Sequence, residues 1–138
     1  MIFLDSSVLA RLILGDEPSA FTAARDLLRQ PKRFGVTGTV LLELVWLLQR
    51  RGIGHHDLNR TLAAILALPN LHCPDIEAVW TAQMAHTAGM DFADALHLAI
   101  SAEAGATGFV TADPQMARHA ERLGLQPPVV LLGYHPAP

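Results

Sequence analysis

Short apolar runs alternate along this chain with longer stretches whose apolar positions recur at helical spacing. Ile2-Phe3-Leu4-Asp5 predicts a short buried strand, and Ser6-Ser7 offers a cap for a helix from Val8 to Leu14. Gly15-Asp16-Glu17-Pro18 reads as a turn into a second helix, Ser19 to Arg29, stopped by Pro31. Phe34 to Thr37 is a candidate strand. Thr39 can cap a helix from Val40 to about Arg51 that ends at Gly52. Asp57 to Leu68 and Ile76 to Thr87 have helical spacing, with a short strand Leu71-His72-Cys73 between them. Phe92 to Ala104 is a helix ended by Gly105, Gly108 to Thr111 a strand, Pro114 to Leu123 a helix, and Val129 to Leu132 a last strand.

Short apolar strands alternating with helices imply an α/β fold, a three-layer sandwich with a mainly parallel central sheet flanked by helices. Such sheets place their sites at the carboxyl ends of strands. The 138 residues suit one domain, 1–138, with residues 133–138 expected to be a loose tail. Half the positions are apolar and 17% are charged, the balance of a folded protein rather than a disordered one. No apolar stretch approaches the roughly 20 residues of a membrane helix, and Met1-Ile2-Phe3-Leu4-Asp5 lacks the basic start of a signal peptide. The lone Cys73 excludes an internal disulfide and fits a reducing, cytoplasmic setting.

A net charge of −3 argues against a broad phosphate-binding surface, although basic residues cluster at Arg25, Arg29, Lys32 and Arg33 and again at Arg50-Arg51. Helix ends that favour cations explain both clusters as well as a nucleic-acid rim does. The acids change the picture more. Asp5 closes Ile2-Phe3-Leu4, Glu43 interrupts Val40 to Leu48, Asp94 lies inside Phe92 to Leu96, and Asp113 follows Phe109 to Ala112. A buried isolated carboxylate costs several kcal/mol, roughly, so these acids are expected to be paired, protonated or metal-bound. None of the four runs contains a Lys or Arg.

An all-oxygen acid set suits Mg²⁺ or Mn²⁺, as one ion or as two about 3.5–4 Å apart. Neither a Ser-His-Asp or Cys-His arrangement, a phosphate-cradling Gly-rich loop, nor a Cys/His zinc cluster stands out. The order Met1-Ile2-Phe3-Leu4-Asp5-Ser6-Ser7-Val8-Leu9, Thr39-Val40-Leu41-Leu42-Glu43, Asp91-Phe92-Ala93-Asp94-Ala95-Leu96-His97, Phe109-Val110-Thr111-Ala112-Asp113 resembles PIN domains. The likeness extends from Met1 to about Leu132, and the size is similar to that of VapC-type ribonuclease toxins of type II toxin–antitoxin pairs.

The resemblance implies a Mg²⁺- or Mn²⁺-dependent endoribonuclease whose acidic quartet is Asp5, Glu43, Asp94 and Asp113. Asp5 and Asp94 would bind metal directly, Glu43 and Asp113 directly or through water. Asp91, one turn before Asp94, is an auxiliary acid or a helix N-cap. Ser7 and Thr111 match hydroxyl positions that can hold water or the scissile phosphate; capping and strand-end bonding are their plainer readings. Arg11 can reach phosphate or cover apolar surface with its stem. His97 is expected to be a partly buried, satisfied residue, and His55-His56 to begin a helix.

Expected partners are RNA, a cognate antitoxin and a second copy of the chain; Trp46, Trp80 and the helix Leu58 to Leu68 can serve a partner surface or the core. The rivals are a catalytically silent PIN-like module that binds RNA or protein, and a metal-dependent phosphatase of another α/β family. Haloacid-dehalogenase-like phosphatases need a second Asp where this chain has Ser7, and response-regulator receivers need a late Lys, whereas the only lysine is Lys32.

Overall fold

The computed structural model describes residues 1–133, so the expected tail lies, from residue 134 on, outside the described residues. The chain divides into two units, Met1–Ile76 and the part from Glu77 onward. Among the described residues every strand pairing is parallel.

In the first unit β1 (Ile2–Phe3), β2 (Phe34–Gly35) and β3 (Leu71–His72) form a sheet in that order, with Ile2 opposite Phe34 and Phe34 opposite Leu71. The expected burial of the first strand is not found: Ile2 and Phe3 are exposed and only Leu4 is buried. The reason is position, because β1 is an edge of its sheet while the central β2 holds the buried Phe34. Gly35 lets the Phe3 ring lie on the backbone; a Cβ there would stand 2.7 Å from that ring.

Helices α1 (Ser6–Leu14), α2 (Pro18–Leu28), α3 (Gly38–Arg50) and α4 (His55–Leu66) complete this unit. Their buried faces are the apolar stripes of the sequence: Leu9 of α1, Leu41, Leu44 and Leu48 of α3, and Leu58 and Leu62 of α4 are all fully buried. The caps differ from expectation by a residue or two. Asp5, not Ser6 or Ser7, caps α1, accepting a bond from the Ser7 N–H at 3.2 Å. Thr37, not Thr39, caps α3, accepting from Val40 N–H at 3.4 Å. Gly15, at φ +59°, ends α1 in the left-handed conformation.

In the second unit α5 (Ile76–Thr87), whose first residue closes the preceding unit, is followed by α6 (Phe92–Glu103), β4 (Phe109–Thr111), α7 (Pro114–Leu123) and β5 (Val129–Leu131). β4 and β5 pair from Phe109–Val129 to Thr111–Leu131. The core here is Val79, Ala82, Met90, Phe92, Leu96, Leu98 and Met116, joined by the buried His86. The His86 Nδ1 bonds the Met90 carbonyl at 3.2 Å and its ring meets the Phe92 ring edge-on at 6.0 Å, which marks it as a structural residue. Arg122 donates to the Ala88 carbonyl at 2.9 Å and so ties α7 to the turn between α5 and α6.

Candidate functional site

A parallel strand that hands over to a helix leaves a set of unbonded N–H groups at the helix start, and a short acid placed there satisfies one of them. Three of the candidate acids cap helix starts, Asp5 and Asp113 after strands and Asp91 after the turn that follows α5. Asp5 begins α1; its carboxylate accepts from the Ser7 N–H and, at 2.6 Å, from the Ser7 hydroxyl. These bonds, the hydroxyl's first, hold the Asp5 carboxyl below its ordinary value. Ser7 is therefore bound to the acid itself. The neighbouring hydroxyl of Ser6 donates to Glu43 Oε2 at 3.4 Å, so α1 reaches both acids of the first unit.

In the second unit Asp91 caps α6 by accepting from the Asp94 N–H at 3.0 Å, and Asp113 caps α7 by accepting from Gln115 N–H at 2.9 Å. Thr111 Oγ1 accepts from the Asp113 N–H at 3.1 Å and fixes the turn from β4 into α7. Asp94 sits in the first turn of α6. Its carboxyl is raised above the ordinary value, first by burial and then by the negative charges of Asp91 and Asp113; His97 and His119 act in the opposite sense. Asp91, Asp94 and Asp113 thus form one field of negative charge. A bound cation would relieve that repulsion, and the all-carboxylate donor set is the chemistry that Mg²⁺ and Mn²⁺ prefer.

The premise that these acids are buried is corrected by the structure. Asp5, Glu43, Asp91 and Asp113 are exposed, and only Asp94 is partly buried. Asp5, Asp91, Asp94 and Asp113 stand where helices start, whereas Glu43 lies within α3 on its exposed side. Among the described residues no three His, Cys, Asp or Glu side chains are grouped so as to hold a metal ion.

Other candidates fall elsewhere. Arg11 pairs with Glu17 at 3.0 Å and with Asp16 at 3.9 Å, so its guanidinium is committed to the turn after α1. His97 is exposed rather than partly buried. Trp46 and Trp80 do not belong to the core, being 46% and 52% exposed. His119, which acts on Asp94 from α7, escapes sequence reading because 25 positions separate the two and only the tertiary fold brings their charges to bear on one another. Asp75 escapes it too: both its oxygens accept from Gly38 N–H, at 2.9 and 3.0 Å, at the start of α3.

Each unit holds one strand that leads into an acid-capped helix, β1 into α1 at Asp5 and β4 into α7 at Asp113, which is the frame expected of a PIN domain. The model of the PIN domain family matches residues 2–122, and the chain belongs to that family. Its fold class is accordingly the PIN-like α/β one, with parallel strands flanked by helices. Among solved structures it is similar to the crystal structure of Mycobacterium tuberculosis VapC20, a sarcin-ricin loop cleaving toxin. The two share 24% identity over 78% of this chain and 86% of that one, with a TM-score of 0.43. No curated protein matches the chain.

Proposed function

We propose that this protein is a metal-dependent endoribonuclease, the toxin of a type II toxin–antitoxin pair, with Asp5, Glu43, Asp94 and Asp113 as its acidic residues. The observation that carries the reading is the presentation of those acids within a PIN-family chain. All four are retained, three of them are exposed, and Asp91 and Asp113 bring negative charge to bear on Asp94. Asp5 and Asp94 are the expected direct ligands, Glu43 and Asp113 bind directly or through water, and Asp91 is the auxiliary acid. A bound Mg²⁺ or Mn²⁺ supplies activation of water and neutralisation of the phosphodiester's charge. Ser7 orients the Asp5 carboxylate, and Thr111 holds the turn that sets Asp113.

Partners follow from the same reading. RNA is the substrate, an antitoxin protein restrains the enzyme, and two copies form a dimer. Trp80 and Met84, one turn apart on α5 and 52% and 70% exposed, support a protein contact on that helix. A cytoplasmic location agrees with the buried lone thiol of Cys73. Among the described residues no helix is long and apolar enough to cross a membrane.

The test is RNA cleavage by the purified chain with Mg²⁺, Mn²⁺ or chelator, beside Asp5→Asn and Asp94→Asn. Metal-dependent cleavage lost in both variants supports the proposal. A silent RNA- or protein-binding module is the second reading, favoured by the absence of a three-residue metal cluster among the described residues. It predicts RNA retention without turnover, unaffected by metal or by Asp94→Asn.

A further inference from the structure

The groove between α1 and α3 carries more than its acid. Ser6, Ser7 and Ala10 form one wall and Glu43, Trp46, Leu47 and Arg50 the other, with about 430 Å³ between them. That volume falls within the roughly 300–1,000 Å³ of small-ligand sites. Glu43, Trp46 and Arg50 recur every three or four residues and so share one helix face. At 1.5 Å per residue, Arg50 stands roughly 10 Å along the helix from Glu43.

Two facts distinguish this wall from an ordinary helix surface. Trp46 leaves 46% of its surface in water beside the buried Leu44, Val45 and Leu48 of the same helix. Of the three arginines on or beside the groove's helices, Arg11 pairs with Glu17 and Asp16, and Arg51 pairs with Asp16 at 3.5 Å. Arg50 makes no ion pair among the described residues. Its place in the last turn of α3 suits a cation, but that does not account for an exposed indole one turn earlier in the same cleft. An aromatic face beside an uncommitted guanidinium is the pair that single-stranded nucleic acid requires: stacking for a base and charge for a phosphate. Leu47 and Ala10 add apolar surface to the groove, beside the carboxylate, indole and guanidinium of Glu43, Trp46 and Arg50.

We propose that this groove is a single-stranded RNA subsite, in which Trp46 stacks on a base near the bond to be cut and Arg50 holds a backbone phosphate farther along. The assignment rests on the ribonuclease reading above and names how that enzyme grips its substrate. Because every base offers a π-face, the subsite adds affinity with little sequence preference.

The experiment uses the full chain. In an Asp5→Asn, Trp80→Phe background Trp46 is the only tryptophan, and its fluorescence is followed during titration with a short single-stranded RNA of mixed sequence. Saturable quenching is expected. In the cleaving protein, Trp46→Leu should raise KM about tenfold with kcat largely kept, and Trp46→Phe should restore most of the loss. Arg50→Ala should lower the slope of log affinity against log salt by about one phosphate contact. If RNA is cleaved but Trp46 fluorescence and the Trp46→Leu KM stay unchanged, the subsite is refuted and the ribonuclease stands; the face then belongs to a protein partner. If RNA quenches Trp46 but nothing is cleaved with any metal, the ribonuclease reading fails and the subsite stands.

Discussion

Asp75 anchors the start of α3, the helix that carries Glu43, Trp46 and Arg50. Its two oxygens accept from Gly38 N–H at 2.9 and 3.0 Å, bonding the first residue of that helix. Helix N-terminal N–H groups have no partner within the helix, so Asp75→Ala leaves one unsatisfied in a half-buried place. A hydrogen bond to a charged group contributes about 1.5–3 kcal/mol, and an anion at a helix N-terminus about 0.3–1 kcal/mol. The two describe one contact and do not add fully, which puts the expected loss at about 2 kcal/mol. For a chain of this size that corresponds to a fall in Tm of roughly 6–10 °C. Asp75→Asn keeps an oxygen acceptor but no charge and should lose about half as much. Thermal and urea unfolding followed by circular dichroism at pH 7 measures both. The Cys73 thiol gives a second readout, since its Sγ donates to Asp75 Oδ1 at 3.4 Å. Burial first, and Asp75 second, push that thiol up to about 12. Removing the carboxylate leaves burial alone, so the thiol's pKa should fall and its alkylation should quicken in both variants. A Tm within about 1 °C of wild type for Asp75→Ala would refute the anchor and leave Thr37 as the cap that holds α3.

Further outcomes follow from the same geometry. In the native protein at pH 8 a thiol with a pKa of about 12 is ionised in only about one molecule in ten thousand, against roughly a quarter for a free thiol. Cys73 should therefore react with a thiol reagent about a thousandfold or more slowly than in the denatured chain, and equal rates would overturn the shift. Asp113 separates capping from chemistry. Asp113→Ala should cost about 1 kcal/mol of stability, while Asp113→Asn should stay within a few tenths because Asn caps equally well. If Asp113 also serves the reaction, Asp113→Asn abolishes RNA cleavage at unchanged Tm; full activity in that variant would assign the residue to capping alone.

Periodicity made the element order legible. The helices Ile76–Thr87 and Pro114–Leu123 match the structure to the residue, because Pro74 and Pro114 mark their starts and apolar stripes their extent. The acids were legible as positions but not as environments. An apolar run that ends in Asp reads as a buried charge, yet Asp5 and Asp113 are strand-to-helix junctions whose side chains bond the next helix in water. Cap identity was misjudged where several polar residues adjoin, as at Asp5-Ser6-Ser7 and Thr37-Gly38-Thr39, since backbone geometry selects among them.

What the sequence by itself determined is therefore the local grammar: which stretches are helix or strand, where turns fall, and which acids stand at junctions. These depend on neighbours within a turn or two, and their signals lie in adjacent residues. Tertiary structure alone decided that Asp75 holds the start of α3, that His119 acts on Asp94, that Arg11 and Arg51 are committed to acids while Arg50 is not, and that Trp46 faces solvent in a groove. Apart from the Arg11 pairs, which span a turn, those contacts join residues far apart in the chain, and no local pattern encodes that proximity.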